Sequence, residues 1–216
     1  MSHADTNQQS VLIKAGQVQL EGNLALPPGA HGVVLFAHGS GSSRFSPRNN
    51  FVARALFDAG IGSLLIDLLT PVEDADYDTR FDIPLLTERL TSATLWLQQY
   101  PATQALKIGY FGASTGAAAA LQAAAEEGAA IAAVVSRGGR PDLAGEHFLR
   151  KVSAPTLLIV GGHDDVVIQL NKLAYAQLHC IKELVIVPGA THLFEETGTL
   201  EQVARYAADW FNRYLN

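Results

Sequence analysis

The chain has 216 residues, 48% of them hydrophobic, and a formal net charge of -6, with a pI near 5.6 and a mean hydropathy of +0.14. That length and apolar content suit one α/β domain with a sizeable core, spanning residues 1–216. Without an excess of lysine and arginine, nucleic acid and anionic membrane surfaces are poor partners, and a small molecule is the expected ligand.

Met1 to Ser10 is polar and lacks the basic start and apolar stretch of a secretory signal, so residues 1–9 are expected to be a flexible tail. No later apolar run is long enough to cross a bilayer. The single cysteine, Cys180, cannot form an internal disulfide, which agrees with a soluble cytoplasmic protein. Oligomeric state leaves no signal.

Period-two alternation follows, with Val11 and Ile13, a turn at Ala15-Gly16-Gln17, then Val18, Leu20, Leu24 and Leu26. It predicts an antiparallel hairpin with one wet face. After Pro27-Pro28-Gly29 the pattern changes to largely apolar runs at Val33–Ala37, Ile61–Ile66, Leu106–Phe111, Ile131–Val135, Thr156–Val160 and Leu184–Val187. Runs of this kind suit parallel strands covered on both faces. Between them Ser46 and Pro47 open a helix that Gly60 ends, Leu85–Tyr100 is a second helix, and the alanine-rich Thr115–Glu127 is a third. Less regular helices are expected near Leu143–Lys151 and Val167–His179, and an apolar stripe from Leu200 to Tyr214 marks the last.

Functional loops of such a sheet lie beyond the carboxyl ends of its parallel strands. Gly112-Ala113-Ser114-Thr115-Gly116 sits between a predicted strand and a predicted helix, where a sharp turn pushes a serine hydroxyl outward and the helix start offers free N–H groups. A serine hydroxyl needs a base. Asp164 stands just past the strand Thr156–Val160 and His192 follows the strand Leu184–Val187, giving the chain order Ser114, Asp164, His192. The predicted roles are nucleophile for Ser114, base for His192 and orienting acid for Asp164, with Asp165 as the cap of the next helix. His38-Gly39-Ser40-Gly41 follows the strand Val33–Ala37, so the backbone N–H groups of Ser40 and Thr115 are the expected oxyanion donors. His38 reads as a residue that fixes this loop, and Cys180 as a small buried hydrophobe.

These segments, over a stretch from about Gly32 to the C-terminus, resemble the α/β-hydrolase superfamily, nearest to its dienelactone hydrolase-like group. The resemblance implies an α/β-hydrolase fold: a mostly parallel sheet with an N-terminal antiparallel hairpin, helices on both faces and no large cap domain. It also implies a serine hydrolase that cleaves an ester or related acyl bond through an acyl-enzyme and needs no metal or organic cofactor. Acyl transfer or thioester cleavage by the same residues, or a binding protein on this scaffold, are the alternatives. Dienelactone hydrolases proper use cysteine where this chain has Ser114, so the dienelactone substrate does not follow.

Arg137 and Arg140 in the run Ser136 to Pro141, with Arg44 and Arg48 after Gly41, form a basic cluster near the expected site. Arg44, Arg137 and Arg140 are candidates for binding a substrate carboxylate or phosphate. The alternative is that the cluster pairs with Asp67, Asp142 and neighbouring acids and braces the loops. The acidic loop Leu68–Pro84, with Tyr77 and Phe81, is either a wall of the pocket or a solvated surface loop.

Overall fold

The computed structural model describes residues 8–216 and forms one eight-stranded sheet. In chain order the strands are β1 (Gln8–Ala15), β2 (Val18–Ala25), β3 (Gly32–Ala37), β4 (Gly62–Ile66), β5 (Lys107–Ala113), β6 (Ile131–Arg137), β7 (Thr156–Gly161) and β8 (Lys182–Val187). Their spatial order is β1-β2-β4-β3-β5-β6-β7-β8. The hairpin β1–β2 joins the sheet antiparallel to β4, and every pairing from β4 through β8 is parallel. Most of the expected tail, residues 1–7, lies outside the described residues, while Gln8 and Gln9 are already paired with Ala25 and Leu24.

The helices are α1 (Pro47–Asp58), α2 (Pro71–Asp74), α3 (Ile83–Gln99), α4 (Thr115–Glu127), α5 (Glu146–Leu149), α6 (Asp165–Gln177) and α7 (Thr199–Leu215). Successive strand residues point to opposite faces, and both faces are covered. Val33 and Leu35 of β3 and Tyr110 of β5 pack with the apolar sides of α3 and α4. Val34, Phe36 and Phe111 pack with α1 and α7. This double covering is why the parallel strands read as unbroken apolar runs. The helix expected over Leu143–Lys151 is broken into a 3-10 turn at Pro141–Ala144 and the single turn α5, because Gly145 between them takes φ 82°.

Ser46 caps α1 as its sequence position predicts, its side chain accepting the Asn49 N–H. The acidic loop is ordered by Thr70 and Glu73, which form a reciprocal capping box at α2, and by ion pairs of Glu73 with Arg89 and Asp74 with Arg80. Tyr77 and Phe81 pack on each other at 5.1 Å between ring centroids and stay exposed. No helix among the described residues is long and apolar enough to cross a membrane.

Candidate active site

β5 ends at Ala113 and α4 starts at Thr115, which leaves Ser114 alone to reverse the chain. It takes φ 52° and ψ -123°, a backbone state that costs a residue with a side chain about 1–3 kcal/mol and persists only where the surroundings enforce it. Here the neighbours leave no room for anything else. A Cβ on Gly112 would lie 2.5 Å from Ala117 Cα, and one on Gly116 would lie 2.2 Å from the Ala37 carbonyl oxygen. The turn is tied to the strand beside it: the Ser114 N–H donates to the Arg137 carbonyl at 3.4 Å, and the Ser114 carbonyl accepts the Arg140 N–H at 3.0 Å.

The loops after β7 and β8 bring Asp164 and His192 together, with His192 Nδ1 2.6 Å from Asp164 Oδ2. A carboxylate accepting from Nδ1–H fixes the tautomer in which Nε2 is free to take a proton. Asp164 stands at the capping position of α6 yet makes no side-chain cap hydrogen bond, and Asp165 is the first helical residue. The expectation that Asp165 caps the helix is therefore corrected: Asp164 holds that position, and its carboxylate is turned to the imidazole instead of the helix.

The His192 loop is itself braced. Thr191 donates to the Glu196 carboxylate from both its N–H, at 3.1 Å, and its hydroxyl, at 2.6 Å, which holds that exposed carboxyl below its ordinary pKa. Phe194 adopts φ 56° and buries its ring in the core under α7. Neither residue has a motif that would mark it, since its task depends on where the loop folds back.

Ser114 and His192 line the same cavity of about 270 Å³, together with Gly39, Ser40, Asn49, Arg48, Arg137 and Gly138. Among the described residues no hydrogen bond joins the Ser114 hydroxyl to the imidazole, a contact that in ligand-free sites commonly closes only with substrate.

The two expected oxyanion donors differ. The Thr115 N–H opens α4, where a helix leaves its first N–H groups without internal acceptors. The Ser40 N–H is engaged, donating to Thr115 Oγ1 at 3.0 Å. As the chain stands, then, Ser40 is not a free donor, and the Thr115 hydroxyl occupies it, a contact invisible at a separation of 75 residues. His38 is buried and uses both ring nitrogens: Nδ1 donates to the Gly39 carbonyl at 2.9 Å, and Nε2 accepts the Leu68 N–H at 3.0 Å. Burial pushes its pKa below the ordinary histidine value.

The arginine cluster separates. Arg44 pairs with Asp67 and Glu21, and Arg140 grips Asp142 through two hydrogen bonds of 2.8 and 2.9 Å. Both brace loops, and the structure does not bring either side chain to the wall of the cavity that holds Ser114. Of the two expectations, substrate binding and bracing, these pairs match the bracing arrangement, with the charge of both arginines met by acids of the chain. Arg137 does line that cavity. Tyr77 and Phe81 do not. No group of three or more His, Cys, Asp or Glu side chains among the described residues is arranged to hold a metal.

The family model described as "Dienelactone hydrolase family" matches residues 21–216. The solved structure of dienelactone hydrolase from Anabaena variabilis ATCC 29413 is 58% identical, with a TM-score of 0.94, and the match covers 97% of this chain and 98% of that one. Est1E from Butyrivibrio proteoclasticus shares the fold at 17% identity, with a TM-score of 0.81 over 94% of this chain and 98% of that one. A protein of Mycobacterium tuberculosis strain H37Rv, provisionally named a phosphoribosyl transferase, is 56% identical over 207 residues, which are 96% of this chain and 46% of the relative. The chain thus spans about half the length of the curated relatives it matches. With the family match running from the hairpin to the last residue, and with the α/β-hydrolase arrangement of strands described above, the chain belongs to the dienelactone hydrolase family.

Proposed function

We propose that the protein is a serine hydrolase that cleaves a carboxylic ester or related acyl bond of a small molecule through an acyl-enzyme on Ser114. The observation that carries this reading is the 2.6 Å contact of His192 Nδ1 with Asp164 at a cavity whose wall also holds Ser114 in its strained turn. His192 Nε2 takes the proton as Ser114 Oγ attacks the acyl carbon, and Asp164 stabilises the imidazolium that forms. The leaving group departs with that proton, and water, deprotonated by the same imidazole, releases the acid and restores Ser114.

The Thr115 N–H receives the oxyanion, and the Ser40 N–H joins it once the Thr115 hydroxyl turns away. Each donor matters to the rate, since losing one typically costs about 10² to 10³. The transferase named in the mycobacterial relative we assign to the part of that protein that this chain does not span.

A fluorophosphonate probe tests the nucleophile. Wild type is expected to be labelled at one residue, Ser114, with hydrolysis of 4-nitrophenyl esters lost in step, and Ser114→Ala to show neither labelling nor turnover. Labelling elsewhere, or esterase activity that survives in folded Ser114→Ala, refutes the reading.

A further inference from the structure

Two arginines of the described chain are deeply buried, and they are treated differently. Arg89, 6% exposed, donates to Glu73 and to the Ala15 carbonyl, each at 2.8 Å. Arg137, 8% exposed, has no carboxylate within ion-pair reach among the described residues. Its Nη2 makes one long contact of 3.4 Å to Asn49 Oδ1, and its Nε has no acceptor. Its nearest charged influence is another cation, Arg48, whose own buried Nε is also without a partner and whose outer end reaches Glu195 at 3.3 Å.

Buried charge is ordinarily kept only where something pairs it. The Phe194 ring, 6.0 Å from the Arg137 guanidinium carbon, lies at the outer limit of a cation–π contact and does not replace a counter-ion. Desolvation and the charge of Arg48 lower the Arg137 pKa to about 10, which still leaves it charged at neutral pH.

The position is as telling as the charge. Arg137 ends β6 in register with Ala113, one residue before Ser114, and both arginines and Asn49 line the cavity that holds Ser114. We propose that Arg137, with Arg48 and Asn49, forms an anion subsite, so that the cavity takes small esters carrying a carboxylate or a phosphate-type group a few atoms from the scissile carbonyl. The fork of Arg137 binds the anion, Arg48 adds charge at the mouth, and the 270 Å³ volume keeps the substrate short. The subsite rests on the reading of Ser114 as nucleophile only for its catalytic use; anion binding is separable from it.

The test compares 4-nitrophenyl hydrogen glutarate, its neutral methyl ester and 4-nitrophenyl 4-phosphonobutyrate as substrates of wild type, Arg137→Met and Arg48→Gln. Wild type is expected to favour an anionic ester over the neutral one by about 10- to 100-fold in kcat/KM, the worth of a charge-assisted hydrogen-bonded pair. That ratio should fall to near one in Arg137→Met and part-way in Arg48→Gln. Carboxylate or phosphonate as the better anion identifies which group the site takes. Calorimetric titration of Ser114→Ala with monomethyl and dimethyl glutarate reads binding without turnover, and the anionic preference there should weaken as salt rises.

Turnover of the neutral ester with no anionic preference, or a preference that survives Arg137→Met, overturns the subsite and leaves the hydrolase reading standing. Selective binding of monomethyl glutarate by Ser114→Ala, with no Ser114-dependent turnover by wild type, supports the subsite and overturns the hydrolase reading. If Arg137→Met does not fold, Arg48→Gln, with its partly exposed side chain, decides the matter by the same ratio.

Discussion

The segment that follows β3 and the one that closes β6 each carry two arginines, and the two members of each pair are held differently. Arg44 and Arg140 sit against Asp67, Glu21 and Asp142 and stitch their loops down. Arg48, whose outer end reaches the exposed Glu195, and Arg137, which has no carboxylate within ion-pair reach among the described residues, both line the cavity, each with a buried Nε that has no partner. The same residue type, a few positions apart, thus serves as a brace in one place and holds charge toward the site in the other. Between Arg140 and Arg137 the role is set by the presence of a carboxylate within reach, and that depends on tertiary packing rather than on the local run of sequence.

The largest effect that bears on this contrast lies at Asp164, an acid at the same sheet edge whose carboxylate serves His192 instead of quenching Arg137. Asp164→Asn keeps the shape but presents an amide N–H to Nδ1, which forces the proton to Nε2 and removes the base. The expected loss is about 10⁴ in kcat with folding intact, as measured by steady-state hydrolysis of a 4-nitrophenyl ester. A loss under tenfold would mean that the pairing with His192 is only structural.

Arg137→Met is the next step down. Replacing a buried, uncompensated charge by an apolar side chain of similar length is expected to raise the unfolding free energy by about 1–4 kcal/mol in urea titrations. Arg140→Met, which removes one half of a partly exposed pair, should change it by only about 0–1 kcal/mol. Should Arg137→Met destabilise the chain strongly, Arg137 has a structural partner and the contrast collapses.

Most of the scaffold was legible because it is written in local pattern. The alternation from Val11 to Leu26 marks the hairpin, the doubly covered strands leave continuous apolar runs, and Ser46-Pro47 and Ser114-Thr115 place two helix starts at the observed residues. The positions of Ser114, Asp164 and His192 followed from strand ends, since each stands within a few residues of one. What sequence could not supply was long-range: the Thr115 hydroxyl on the Ser40 N–H, the turning of Asp164 away from its helix, Glu196 under Thr191, and Asn49 beside Arg137. Each is a pairing fixed by the packed loops, and the residue types involved are equally at home in ordinary surface turns.

His38 extends the comparison to a group that has another way out of burial. An arginine deep in the protein keeps its proton, so Arg137 must either find an anion or bear the cost. A histidine can shed the proton, and the Nε2 of His38 requires the neutral form because it accepts from Leu68, while Nδ1 donates to Gly39. Its folded pKa is depressed, with burial the main cause and the hydrogen bond to Gly39 and the charges of Asp67 and Asp74 acting in opposition. Below the ordinary histidine value of about 6.5 the unfolded chain therefore takes up a proton that the folded chain refuses. The contribution to stability is complete above that pH and is lost as the pH falls toward the depressed value, with a slope of at most about 1.4 kcal/mol per pH unit. Because other carboxylates titrate lower, the measurement is a difference: urea unfolding of wild type and His38→Gln between pH 7.5 and 5.5. Glutamine offers a donor and an acceptor but does not titrate, so its curve should be flatter than wild type across this window. Equal slopes would mean that His38 takes a proton inside the fold and gives up its acceptance of the Leu68 N–H, since both nitrogens of a charged ring are donors.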